Sequence, residues 1–278
     1  KKTKTRQRRD ACWNERIERV RAYADTKATL RLRAALYFFA GGDRRAYGMG
    51  AVNSSEDTRR YREGYPGQED DAGATKNLEF YSNERKSVPQ GDYVDTIHTE
   101  WWGQYDWLEQ HHGYIQWLFP IREDGLNMRA QRLMLHEAQA IRGDPVKKAR
   151  IRKSYELMLD FYGMRLKDAD TGEIERADNY RARYDHLNHS YHNYLRITRI
   201  LKCLGEMGYE HYKWPFLQFV LREIYENGEL GNCKTSCLRF WSQVLRNVAD
   251  QKKMRRVVNK YEGTDDDADD ADDDDGGD

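Results

Sequence analysis

The chain has 278 residues, of which 38% are hydrophobic and 34% charged, an apolar share low enough to predict charged, unpacked ends around a folded middle. Its formal net charge of zero conceals a strong polarity, since residues 1–62 hold 17 bases against 7 acids while residues 263–278 hold 10 Asp and no base. No apolar run reaches the roughly 18 residues of a membrane-spanning helix, and four cysteines (Cys12, Cys203, Cys233, Cys237) make no disulfide scaffold but fit a reducing compartment.

Residues 1–10 form a basic tract with almost nothing to bury. Ile17, Val20 and Tyr23 have helical spacing within 11–45, but so many arginines surround them that no firm docking is expected. Residues 41–76 are rich in Gly, Asp, Ser and Arg and read as a linker, which makes 1–76 a basic, partly disordered region. From 77 the apolar spacing becomes helical. Ile97, Trp101, Tyr105 and Leu108 predict a helix near 94–110, stopped about Gly113. Asp144-Pro145 opens the clearest helix, because an aspartate caps the first turn and a proline at the first helical position sacrifices no hydrogen bond. Ile151, Tyr155, Met158, Leu159, Tyr162 and Leu166 form its apolar face, with Lys148, Arg152, Lys153, Glu156 and Asp160 mostly opposite. Asp170-Thr171-Gly172 ends it as a turn.

A helix near 173–187 follows from Ile174, Ala177, Tyr180 and Tyr184. The next, capped by Asn188 or Ser190, carries Leu195, Ile200, Leu201 and Leu204 and ends near Gly208. Trp214-Pro215 opens an almost wholly apolar helix through Tyr225, which should lie at the domain centre. A last helix near 235–260 carries Leu238, Trp241, Val244, Leu245 and Val248. No stretch alternates long enough to predict a strand. The expectation is an all-α fold: a single irregular helical-bundle domain at 77–261 with disordered charged termini, the acidic tail being 262–278.

Catalytic signatures are absent: there is no phosphate-binding glycine loop and no nucleophile elbow, and His136-Glu137 lacks the second histidine of a zinc-protease helix because residue 140 is Ala. Neither an enzyme nor a cofactor is expected. His186, His189 and His192 have a metal-compatible spacing that a helix break at 188–190 interrupts, and Cys233 and Cys237 share a helical face without a second ligand pair. Solvated or capping histidines and small buried thiols are the plainer readings, so no metal is assigned. The anomaly is aromatic. Residues 101–119 contain four Trp, two Tyr and one Phe. They form either a Trp-heavy core hinge or a recognition site in which Trp101, Trp102, Tyr105 and Trp117, with the carboxylates Asp106 and Glu109, receive an amine-bearing aromatic ligand by stacking and ion pairing. Lys1, Lys2, Arg8 and Arg9, and separately Lys252, Lys253, Arg255 and Arg256, are basic clusters suited to nuclear import receptors or solvated charge runs. The acidic tail would compete for the same basic surface, which speaks against simple nucleic-acid binding.

Several runs resemble the conserved region of the opioid growth factor receptor family: Tyr114-Ile115-Gln116-Trp117-Leu118-Phe119-Pro120, Ser154 through Gly163, and His192 through Lys202 followed by Leu204-Gly205-Glu206, with Asn77-Leu78, Phe80-Tyr81 and Asn83-Glu84 upstream. The resemblance covers about 60–250, with the motifs in order. It implies a receptor for the pentapeptide Met-enkephalin that restrains cell growth, located around and in the nucleus and reaching it through basic signals; any membrane association is then peripheral. The chain departs from the family pattern at Cys233 and Cys237 and at His186 and His189, which weakens both metal ideas. No ligand-contact residue follows from the resemblance, so the six-residue aromatic site rests on composition alone. The alternative is a helical protein-interaction scaffold with no specific small ligand.

Overall fold

Residues 54–264 are described in the computed structural model of the chain; the basic tract with Lys1, Lys2, Arg8 and Arg9, the 11–45 helix, Cys12 and the Asp run from 265 lie outside them. In chain order the main elements are α1 (Ser54–Arg62), α2 (Lys76–Tyr81), α3 (Val94–Glu100), α4 (Tyr105–Gln110), α5 (Ile115–Leu118), α6 (Leu135–Gly143), α7 (Pro145–Phe161), β1 (Met164–Leu166), β2 (Ile174–Arg176), α8 (Tyr180–His189), α9 (His192–Glu206), α10 (Lys213–Tyr225) and α11 (Val248–Glu262). The all-α class holds, with one small antiparallel hairpin added. No helix among the described residues is long and apolar enough to cross a membrane.

α7 starts as its sequence dictates. Asp144 accepts hydrogen bonds from the backbone N–H of Val146 (2.9 Å) and Lys147 (3.1 Å), and Pro145 occupies the first turn. A cap of this kind contributes about 1 kcal/mol. The helix stops at Phe161 instead of running through Leu166, because Gly163 has φ +81° and a Cβ there would sit 2.8 Å from the Tyr180 backbone. Only glycine fits, and the chain swings into the hairpin, pairing Met164 with Arg176 and Leu166 with Ile174. Ile174 therefore belongs to a strand, and the next helix begins at Tyr180. Spacings of three and four residues between apolar side chains do not separate a helix from a tight three-residue strand.

Two other helices break where one was expected. α3 and α4 are separated by a turn through Gly103 at φ +73°. The stretch 235–260 forms a short helical turn, a π-type turn over Cys237–Trp241 and a 3-10 turn, then extends at Leu245 before Asn247 caps α11 by accepting from Asp250 N–H at 3.2 Å. α9 starts at His192 without a side-chain cap; Asn188 is instead occupied with the 229–232 turn, donating to Glu229 O at 2.7 Å.

The core is built around α10, whose Phe216, Leu217, Phe219, Val220, Leu221 and Ile224 are all buried as composition required, together with α7 and α9. It also takes in α1. Tyr61 is fully buried: its hydroxyl donates to Lys202 O at 3.0 Å and accepts from Lys213 Nζ at 2.6 Å, and the Arg246 guanidinium lies 4.0 Å over its ring. The linker reading of 41–76 is thus corrected at α1, Ser54–Arg62; the residues between it and α2 are turns and irregular chain. One aromatic anchor docks a helix that its charged neighbours disguise.

Candidate functional site

The aromatic segment divides between core and surface. Trp101 is fully buried, edge-on to Trp107 at 5.4 Å and to Tyr114 at 5.5 Å. Trp117 is 1% exposed, donates its indole N–H to Val88 O at 2.9 Å and packs 5.6 Å from Phe80. These two rings hold the hinge together and offer no face to a ligand. Trp102, the next residue along, is 42% exposed, and Asp106 in the first turn of α4 is exposed. Tyr105 lies between the two groups. Its hydroxyl donates to Asp160 at 3.0 Å and accepts from Asn179 Nδ2 at 2.6 Å, while the Arg183 guanidinium covers its ring at 4.5 Å.

Glu109 belongs to a different neighbourhood. His192 Nε2 stands 3.0 Å and His186 Nε2 3.3 Å from its Oε1; Asn193 donates to Oε2 at 3.1 Å, and Arg196 lies 3.9 Å away. Burial works to raise its pKa, but the two imidazoles, with the added charge of Arg196, overcome this and hold the carboxyl well below the usual range. Arg183 donates to His186 Nδ1 at 3.0 Å, so that imidazole carries its hydrogen on Nε2, the edge facing Glu109. Arg196, 5% exposed, also donates to Leu108 O, Glu109 O and His111 O and so locks the end of α4 onto α9. Glu109 is spent on this knot. The six residues singled out from composition are not one site: Trp101 and Trp117 are core, Glu109 is an internal joint, and Trp102, Tyr105 and Asp106 remain at the surface.

The histidine spacing resolves in the same place. His186 and His192 converge on Glu109, whereas His189 is exposed on the far side with Asp185. No group of three or more His, Cys, Asp or Glu side chains among the described residues is arranged to hold a metal ion. Cys233 and Cys237 are buried free thiols, and burial pushes the Cys233 thiol up to about 12. Lys252, Lys253, Arg255 and Arg256 are exposed on α11, opposite the buried Met254.

What the sequence did not single out is a surface groove of about 470 Å³ along α7, lined by Asp95, Val146, Arg150, Arg152, Lys153 and Glu156. Arg150 is fully engaged, forming a bidentate pair with Asp95 (2.8 and 2.7 Å) and donating to Tyr81 O at 2.9 Å. Arg152 stands 3.3 Å from Glu156. Glu156 and, one turn on, Asp160 are the two described carboxyl groups displaced upward in pKa. In both, burial outweighs the nearby opposing groups: Arg152 and Lys153 for Glu156, Tyr105, Arg183 and Asn179 for Asp160. Both residues read as an ordinary solvated helix face, and only the folded structure shows Tyr105 against Asp160 and Glu156 in the groove wall.

The sequence profile described as the opioid growth factor receptor (OGFr) conserved region matches residues 70–268. The chain belongs to the opioid growth factor receptor family. It is similar to the opioid growth factor receptor of Homo sapiens (44% identical over 195 residues, 69% of this chain and 29% of that protein) and to opioid growth factor receptor-like protein 1 of Mus musculus (40% over 210 residues, 75% of this chain and 45% of that protein). The opioid growth factor receptor of Mus musculus is 43% identical over 193 residues, 69% of this chain and 30% of that protein. The matched region thus spans less than half the length of each of these family members. No solved structure matches the chain.

Proposed function

We propose that this domain is the ligand-recognising part of a receptor for a short opioid peptide, Met-enkephalin, that acts in restraining cell growth, and that it works by binding and not by catalysis. The observation that carries this is the family match over 70–268, with relatives named opioid growth factor receptor at 43–44% identity. A helical domain with a surface groove lined by basic and carboxylate side chains is a suitable receiver for a small zwitterion. Calorimetry of the full chain with the pentapeptide tests the reading. A saturable one-to-one isotherm is expected, and none with a scrambled peptide; equal heats from both, or none from either, remove it.

The same reading locates the protein around and within the nucleus, with Lys252, Lys253, Arg255 and Arg256 as the contact for an import receptor. Their exposure on α11 supports this. Changing all four to glutamine in a fluorescent fusion is expected to lower the nuclear-to-cytoplasmic ratio several-fold. An unchanged ratio removes these residues from the proposal.

A further inference from the structure

α11 carries a surplus of positive charge. Its fifteen residues hold Lys252, Lys253, Arg255, Arg256 and Lys260 against two acids, Asp250 and Glu262. Asp250 is taken by Lys253 at 2.9 Å. Glu262 is engaged from outside the helix, by Lys234 at 2.9 Å and by the Tyr225 hydroxyl. Lys252, Arg256 and Lys260 follow steps of four, so they form one exposed stripe of like charge, an arrangement that weakens a helix unless anions meet it. The opposite face is fixed to the body. Met254 is buried, Val257, Val258 and Tyr261 pack against the core, and Tyr261 stacks on Tyr225 at 4.6 Å. The stripe therefore faces outward on an anchored helix.

The helix ends in a way that brings acids to this face. Gly263 adopts φ +68°, and the N–H of Thr264 donates back to Asn259 O at 3.1 Å, a left-handed cap that turns the chain off the helix axis. The next residue is Asp265, the first of 10 Asp in residues 265–278, which contain no base. We propose that this Asp run folds back along α11 and screens the stripe of Lys252, Arg256 and Lys260. The lengths agree. The helix from Gly263 back to Lys252 measures about 16 Å, which about five extended residues retrace, so Asp265 to Asp270 reach the whole stripe. The short tether gives the run a high local concentration, which offsets the weakness of each exposed ion pair. A contact of this kind is screened by salt and yields to a competitor. It covers the side chains assigned above to an import receptor. It rests on charge and chain geometry, not on that reading, and adds to it that a receptor must first displace the Asp run.

The test is zero-length carbodiimide cross-linking of the full chain, read by mass spectrometry, since the reagent joins an aspartate to a lysine only where the two touch. Cross-links from Asp265–Asp275 to Lys252 and Lys253 are expected at low salt, several-fold above those to the exposed Lys76, and they should fade at high salt. Lys260 is too near in sequence to decide. The Arg256→Gln/Lys260→Gln double variant, at two exposed positions where folding is not at stake, leaves both reacting groups in place and is expected to cut the Lys252 yield at least three-fold. If that yield is unchanged, the tether alone makes the link and the stripe is not a seat. If Lys1, Lys2 and Lys4 take the cross-links instead, the Asp run answers the basic tract at the other end of the chain and the assignment falls. It falls equally if the yield drops on dilution, the sign of a second copy. Each of these failures leaves the import reading standing, because the fluorescent fusion decides that by itself.

Discussion

Glu137→Ala is expected to lower the unfolding free energy by about 4 kcal/mol, the range seen when a buried, multiply bonded charge loses its setting. Glu137 is fully buried on α6 and serves two helices at once. Its Oε1 accepts from the backbone N–H of Asn77 (2.9 Å) and Leu78 (3.2 Å), the first-turn donors of α2 that the Thr75 side chain leaves uncapped. Its Oε2 accepts from Asn77 Nδ2 (2.9 Å), Gln131 Nε2 (3.0 Å) and Met134 N–H (3.0 Å), the last closing the start of α6 itself. Removing the carboxylate takes the acceptor from five donors, of which Asn77 Nδ2 alone retains others in Gln131 O and Arg132 O, and loosens α2, which carries Phe80 and Tyr81 into the core. Glu137→Gln should be nearly as harmful, because an amide N–H₂ at the Oε2 position would face three donors and accept from none. Urea unfolding at neutral pH measures both; the melting midpoint should fall by roughly 8–16 °C for a domain of this size. A loss below about 1 kcal/mol would show that the two helix ends are satisfied without the carboxylate.

That same glutamate shows which parts of this chain can be read from sequence. His136-Glu137 stands out only as a failed metal motif, since nothing local reveals that α2, some 60 residues earlier, will present its amino end there. Asp144-Pro145 and the apolar run of α10 are legible because their rules are local or compositional: a cap acts on its own first turn, and a helix with no polar face has nowhere to lie but inside. Trp101 and Trp102 mark the limit on the site. They are adjacent and chemically identical, yet one is fully buried and the other 42% exposed, because Trp101 turns inward against Trp107 and Tyr114. Tyr61 marks the limit on the fold. A single ring docks α1, so window composition sees only the arginines around it. The groove was hidden for the converse reason. Glu156 and Asp160 occupy positions that a helical wheel assigns to solvent; Asp160 is covered by Tyr105 and Asn179, which reach it from other parts of the chain.

Acid is expected to destabilise the domain well above the carboxylate range, by about 3 kcal/mol between pH 6.5 and pH 5. The cause is two buried histidines. His98, 3% exposed, is held down to about 3, first by burial and then by the positive field of Lys153, with Asp95 too weak to offset them. Its Nε2 meets Ser154 Oγ at 2.8 Å, and Ser154 donates onward to Arg150 O, so Nε2 carries the hydrogen; Nδ1 is buried with no acceptor, and a second proton there would be unpaired. His111, 2% exposed, is held down to about 4 by burial, against the pull of Gln90 O and with the help of Arg196. Its Nδ1 accepts from Gly113 N–H at 3.0 Å, a bond that protonation would destroy. Both folded values lie below the ordinary 6.5, so the unfolded chain takes up protons that the folded chain refuses as the pH falls. Stability is therefore fully present well above pH 6.5 and is lost on descent through it, at a slope that steepens to about 1.4 kcal/mol per pH unit for each ring. The depressed Glu109 carboxyl acts in the same direction only lower down, where ordinary carboxylates begin to protonate. Urea midpoints at several pH values between 5 and 7 measure the slope, and His98→Gln should reduce it by the contribution of one proton. An unchanged slope in that variant would mean that the His98 ring is already protonated in the fold, against the Ser154 and Nδ1 geometry.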